Sequence, residues 1–437
     1  MWHSGRVMLH DQFTHTVAGK RWPNHEWLSQ VVFYATYVLG GLPLLTALCA
    51  GTVTLAWLIV SSLTATPGAP IFRVALVGLG AMLSSPAWSL RPQVLTLGFL
   101  SLTLWIVVRR RYIWLLPPLF VIWANLHGAV ALGGLVVVAA TIAAAVRREN
   151  LVTWCAIAAL CFLATAATPL GPSLWLEIPG SLQRLQAYGV LEWQAPQFGR
   201  LSDLPFWLVV AALVTIAIRY RRILDSSATL TLTLSTGLLL LLALRSSRHI
   251  PTFLLSAIPT IAMLLPRSDA PRPLPVRAMN RRRTLDLAIL STCAAGSVLF
   301  VATAWLQPLP RLAWTPMSPA VIAAVNGCPG RLYNRYDEGG YLIWFMKHRP
   351  VFMDSRQDPF PAEMIMAHIG VERSGDYKEL FATYDIGCSL SLKSSPLAQS
   401  LLRDGWREAD AGGVWMVYHR PAPGTPHALS AVRKADY

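Results

Sequence analysis

The chain has 437 residues, of which 54% are hydrophobic and only 14% charged, and its mean hydropathy is +0.46. Soluble globular proteins carry about 25% charged residues, so a soluble enzyme of this length is all but excluded. The 37 Lys+Arg against 22 Asp+Glu give a net charge of +15, which on an apolar chain points to basic loops at a membrane rather than to nucleic-acid binding.

In chain order, residues 1–42 read as a polar loop followed by an interfacial helix over His25–Gly40. Apolar runs then predict about ten membrane spans, near 43–63, 71–87, 93–108, 113–126, 128–146, 151–169, 203–218, 228–244, 249–265 and 285–306. Pro117-Pro118 and the polar Asn125-Leu126-His127-Gly128 split the long stretch 113–146 into two helices. A Pro/Arg linker occupies 266–283, and the mixed polar tail 307–437 is expected to form a small α/β domain. Its strands are predicted at Arg331–Asn334, Pro350–Met353, Tyr384–Leu392 and Gly413–Tyr418, and its helices at 338–347, 361–369, 376–382 and 396–404. The expected fold is therefore a mostly α polytopic bundle over 43–306 with a small C-terminal extracytoplasmic α/β domain.

Arginines set the expected orientation. Alternate loops contain Arg109 to Arg111, Arg147-Arg148, Arg219 with Arg221-Arg222, and six arginines over 267–283; the intervening short loops hold only Arg91, Arg184, Arg200, Arg245 and Arg248. The positive-inside rule assigns the first set to the cytoplasm, so residues 1–42 and the tail face outward. An exported polar N-terminal segment needs a preceding span, and the expectation is that a first transmembrane helix is missing from this chain. Four of the six cysteines lie in apolar runs and read as packing residues. Cys328 and Cys388 lie in the tail and could pair as a disulfide if the tail is extracytoplasmic. No CxxC or paired Cys/His spacing supports a zinc site, and no GxSxG, Walker loop or HExxH is present.

Polar residues concentrate in the outward turns, where they are costly and the functional reading is the default. Asp11, His25 and Glu26 are candidates for a general base, and the two carboxylates could also bind a hard divalent cation such as Mg or Mn; a solvated loop is the competing reading. Arg91 with Gln93, and Arg245 with Arg248 and His249, offer guanidinium forks for a phosphate, against ordinary headgroup snorkelling. Asn125 and His127 sit at a helix break and could line a substrate pocket or simply satisfy the break. Glu192-Trp193 pairs a carboxylate with an aromatic ring, which suits a sugar but also an interfacial anchor. In the tail, Asp337, Glu338, Asp354, Arg356 and Asp358 read as acceptor contacts or solvated surface.

The motifs Phe13-Thr-His-Thr16, Trp22-Pro-Asn-His-Glu-Trp-Leu28, Gly40-Gly41, Arg91-Pro-Gln93, Trp123-Ala-Asn-Leu-His-Gly128, Glu192-Trp193, Asn334 to Tyr341 and Pro350 to Arg356 together resemble a bacterial branch of the GT-C glycosyltransferases. These are polytopic proteins related to protein mannosyltransferases and lipid A aminoarabinose transferases. The resemblance implies a multi-pass protein of the bacterial cytoplasmic (inner) membrane with its tail domain periplasmic. It further implies transfer of a sugar from a polyprenyl-phosphate donor to a glycan, lipid or protein acceptor, with Asp11 and Glu26 activating the acceptor or holding a metal. The acidic stretch that usually carries the family's principal catalytic Asp has no counterpart before Met1. That leaves two further readings: an inactive, truncated homologue serving as scaffold or carbohydrate binder, and a glycan ligase or polymerase that relies on Arg245 and Arg248 without Glu26.

Overall fold

The computed structural model describes residues 5–64, 70–177, 191–220, 223, 225–265, 317–346, 349–356 and 358–421, with isolated positions between 284 and 306. The expected span at 285–306, the linker at 266–283 and Arg184 therefore lie outside the described residues or largely so. The chain divides into two compact units, one of residues 1–7 with 24–307 and one of residues 8–23 with 308–437. The segment expected to be a single outward loop, 1–42, is thus shared between them.

The first unit is helical: α1 Trp27–Leu63, α2 Pro70–Leu83, α3 Gln93–Arg109, α4 Leu116–Leu126, α5 Val130–Arg147, α6 Leu151–Ala164, α7 Leu204–Tyr220, α8 Ser227–Arg245 and α9 Ile250–Leu264. Their apolar faces close around a core that includes Leu100, Leu104, Phe120, Trp123, Val136, Leu232, Leu239, Phe253 and Ile258. Among the described residues four helices are long and apolar enough to cross a membrane: Trp27–Leu63, Val130–Arg147, Leu201–Tyr220 and Ser227–Arg245. This unit is helical and its apolar helices are compatible with a membrane protein, but among the described residues the expected ten spans are not reached. Several apolar runs fold as shorter helices, such as α4 with 11 residues and α6 with 14, where roughly 20 residues cross a bilayer. The long α1 is broken at Gly40 and Gly41, and Gly41 takes a φ of 64° that a side chain resists. Pro43 follows and cannot donate the next hydrogen bond. The sequence boundary expected between an interfacial helix and a first span falls at that kink, with both halves in one element.

α3 separates two polar clusters. Its 17 residues run about 25 Å at 1.5 Å per residue. At the Arg109 end, Glu149 accepts from Arg110 Nη1 and from Ser227 Oγ, each at 2.6 Å. At the Gln93 end lie the residues of the candidate site.

The second unit is α/β. Its sheet contains β1 Arg331–Asn334, β2 Ile386–Leu392, β3 Arg407–Gly412 and β4 Trp415–His419 in the order β1-β2-β4-β3. β1 and β2 are parallel and the other pairs antiparallel, with Cys388 opposite His419 and Leu390 opposite Val417. Helices α10 Pro319–Asn326, α11 Gly339–Phe345, α12 Ala362–Ser374, α13 Lys378–Thr383 and α14 Pro396–Arg403 complete it. β3 and α10 were not anticipated, and Pro350–Met353 is not a strand: Val351 makes only an isolated parallel bridge to Thr14. That bridge, with His15 N–H donating to Val351 O and Val351 N–H to Phe13 O, joins residues 8–23 to the tail. Cys328 and Cys388 form a disulfide, as the sequence allowed.

Candidate functional site

In the helical unit the site is built at the Gln93 end of α3. Glu26 precedes α1, and His127 follows α4 in an extended conformation. His127 Nε2 lies 3.3 Å from Glu26 Oε1, while its Nδ1 is 2.9 Å from Thr96 Oγ1. His25 Nε2 is 3.8 Å from the same Glu26 oxygen. Glu26 therefore faces two imidazoles.

Asn125 lies two residues earlier, in the last turn of α4. Its Nδ2 donates to Val121 O (2.8 Å) and Ala167 O (2.9 Å), and its Oδ1 accepts from Trp27 Nε1 at 2.7 Å. The amide closes the helix break and is 7% exposed, so this expected pocket residue acts as a structural pin.

The second group joins the loop before α7 to the turn between α8 and α9. Arg248 Nη1 is 2.7 Å from Glu192 Oε1, Arg91 Nη1 is 3.6 Å from Glu192 Oε2, and the Arg248 guanidinium stacks 4.8 Å over Trp193. Ser246 Oγ donates to Glu192 O, and Ser247 N–H and Oγ to Gln194 O, which fixes that loop against the turn. His249 meets the Trp193 ring edge-on at 6.4 Å. The Trp193 indole N–H is buried and has no hydrogen-bond partner among the described residues. Gln93 Nε2 donates locally to Ser89 Oγ, and Arg245 ends α8. Arg248, His25 and His249 all act electrostatically on the His127 ring, so the carboxylate and arginine groups share one end of the bundle. Glu192, read from the sequence as a sugar contact or as part of an interfacial anchor, bridges Arg248 and Arg91.

Asp11 belongs to the α/β unit. Its side chain is fully buried: Oδ2 accepts from Thr14 N–H (3.0 Å) and Thr14 Oγ (2.7 Å), and Oδ1 contacts Arg356 Nη2. Asp354 accepts from Arg356 N–H (2.9 Å), Nε (2.7 Å) and Nη2 (2.6 Å). The guanidinium carbon lies 4.5 Å from the Trp22 ring centroid and 5.0 Å from that of Phe13, in the corner of two rings that meet edge-on. Burial works against the Arg356 cation, but its bonds to Asp354 and the charges of Asp354 and Asp11 outweigh that and raise its pKa above the ordinary value. A carboxylate so engaged, with a guanidinium against it, does not fit a hard divalent cation, whose oxygen ligands must be open to the ion. That arrangement speaks against the expected Asp11–Glu26 metal pair, and the tail residues Asp354 and Arg356 serve this clamp. Cys328, Cys388 and His419 place three metal-ligating atoms within 4.8 Å of one another, with the two sulfurs joined in the disulfide.

A second buried network orders the same unit. Tyr336 N–H donates to His368 Nε2 (3.3 Å), so Nδ1 carries the ring proton toward Tyr333 Oη (2.8 Å), which donates to Glu372 Oε1 (2.8 Å). Arg335 Nε pairs with Glu372 Oε2 at 3.3 Å. Burial, with help from Arg335, pushes His368 down to about 4, and burial raises Glu372 despite its bond from Tyr333 and the charge of Arg335.

Sequence reasoning found Glu26, His127, Arg91 and Arg248 but missed Thr96, an unremarkable threonine in an apolar run. It also missed the Arg356 clamp, whose members lie 345 residues apart. No known family model and no curated protein sequence matches this chain.

Proposed function

We propose that this protein is an integral-membrane glycosyltransferase that moves a sugar from a polyprenyl-phosphate donor to an acceptor hydroxyl. The observation that carries this reading is the Glu26–His127 pair at the same end of the bundle as the Arg91–Glu192–Arg248 group. The motif resemblance to the GT-C enzymes supplies the substrate class. In the reaction, Glu26 takes the proton of the acceptor hydroxyl, the acceptor oxygen bonds to the anomeric carbon, and the bond from that carbon to the phosphate oxygen breaks. Arg248 and Arg91 stabilise the departing lipid phosphate, because a guanidinium fork matches its oxygens.

The site end of the bundle faces outward from a bacterial inner membrane in this reading, and the Cys328–Cys388 disulfide supports an oxidising compartment for the tail. The experiment is transfer of label from a panel of radiolabelled polyprenyl-phosphate sugars into membrane lipid, glycan and protein, comparing wild type with Glu26→Gln and Arg248→Gln. Loss in both variants supports the transferase. Retained transfer in Glu26→Gln with loss in Arg248→Gln favours a glycan ligase or polymerase, and no transfer by any protein favours a binding or scaffold role.

A further inference from the structure

The hydrogen-bond chain behind Glu26 has a fixed direction. Trp123 Nε1 can only donate, and it lies 3.2 Å from Thr96 Oγ1. Other threonines in this bundle return their hydroxyl proton to the carbonyl four residues back: Thr36 to Val32, Thr52 to Leu48, Thr103 to Phe99, Thr141 to Val137 and Thr233 to Thr229. Thr96 does not; its remaining partner is His127 Nδ1 at 2.9 Å. The hydroxyl accepts from the indole and gives its one proton to Nδ1. A neutral imidazole that accepts at Nδ1 carries its proton on Nε2, the atom 3.3 Å from Glu26 Oε1. A ring protonated at both nitrogens would leave the Thr96 hydroxyl hydrogen without an acceptor at a site only 2% exposed.

We infer that Thr96 and Trp123 are positioning residues that lock His127 as the Nε2–H tautomer, so that the imidazole serves as a fixed donor to Glu26 and Glu26 alone is left to take the acceptor's proton. This deepens, and rests on, the transferase reading above.

Packing holds the chain in place. Trp123 is fully buried between Phe99 (5.7 Å) and Phe120 (5.9 Å). Gly133 of α5 backs the ring so closely that an added Cβ would fall 2.4 Å from its Cζ3. Two residues of one motif also grip two consecutive residues of another: Asn125 holds Trp27 and His127 holds Glu26. The spacing Trp-x-Asn-x-His thus forms a two-point clamp on Glu26-Trp27, with the first tryptophan setting the tautomer from behind. Because its Nε2 lone pair is replaced by a proton, His127 is neither the base nor a metal ligand through that atom.

The test is the nitrogen NMR spectrum of full-length, detergent-solubilised protein labelled with 15N-histidine, the His127 signals being identified by their loss in His127→Gln. The wild type should show a protonated Nε2 and an unprotonated Nδ1 near neutral pH. Glu26→Gln should keep that pattern, since Thr96 rather than Glu26 dictates it. Thr96→Val should lose the single pattern, and Thr96→Ser should restore it. An Nδ1–H or doubly protonated ring in the wild type, a pattern that changes in Glu26→Gln, or one unchanged in Thr96→Val would each overturn the inference. Should Thr96→Val fail to fold, the wild-type and Glu26→Gln spectra still decide. The readout needs no substrate, so a failure of sugar transfer leaves it intact, and the reverse also holds.

Discussion

Replacing Arg356 by Met should destabilise the α/β unit far more than replacing Asp11 by Asn. Arg356 is the cation shown between Asp11 and Asp354, whose side chains are 0% and 2% exposed. Its removal leaves two buried carboxylates without a counter-charge, and breaking a buried ion pair from one side costs about 3–5 kcal/mol. Asp11→Asn is milder. Arg356 keeps its three bonds to Asp354, and an amide oxygen can still accept from Thr14 N–H, so the loss is about 1–2 kcal/mol. At roughly 4 °C per kcal/mol for a unit of this size, the Tm of that transition should fall by more than about 10 °C in Arg356→Met and by less than about 8 °C in Asp11→Asn. Scanning fluorimetry reads the transitions, and trypsin cleavage at the exposed Lys20 and Arg21, followed by mass spectrometry, reads release of residues 8–23. Equal destabilisation by the two variants, or unchanged cleavage in Arg356→Met, would refute the clamp.

Reducing the Cys328–Cys388 disulfide, whose partners are 60 residues apart, should lower stability of the same unit by up to about 4 kcal/mol on the loop-entropy model; melting with and without a dithiol checks it. His368 gives an acid-side dependence. Its pKa falls from 6.5 unfolded to about 4 folded, so the unfolded chain binds the proton first, and its contribution is complete above pH 6.5 and lost as pH falls toward 4, by up to about 3 kcal/mol. His368→Gln should flatten that limb of the stability curve, and a limb as steep as wild type would contradict the assignment. Glu372, raised by burial, works in the opposite sense: its burial disfavours folding as pH rises through the ordinary carboxylate range. In the bundle, Gly133→Ala must displace the Trp123 ring and should cost about 1–3 kcal/mol as an overpacked core, measured by thermal melting in detergent.

Much of this could be read from residue types. Strands at Arg331–Asn334 and within 384–392 and 413–418 carry the alternating apolar residues the pattern needs, and they form. β3 escaped notice because Arg407-Glu-Ala-Asp-Ala-Gly412 has no β-branched or aromatic residue; it is held as an edge by β4. α10 does carry a signal, Ser318 as N-cap with Pro319 at the first helical position, over a helix of only 8 residues. An apolar run does not fix helix length: α6 is apolar throughout yet ends after 14 residues. At the site, the chemistry of Glu26, His127 and the arginines was visible as costly polar residues beside apolar spans. Their pairings were not, because they join segments 56 to 101 residues apart and depend on packing. Asp11 shows the opposite failure: a carboxylate that looked functional in the linear sequence is enclosed by a distant arginine.

The central claim is that Glu26 is the base of a sugar transfer served by nearby arginines. The most direct test is label transfer from radiolabelled polyprenyl-phosphate sugars in membranes containing wild-type protein or Glu26→Gln at matched abundance. The account predicts transfer by the wild type and a loss of about hundred-fold or more in Glu26→Gln, the scale of a lost general base; transfer at the wild-type rate by Glu26→Gln would contradict it.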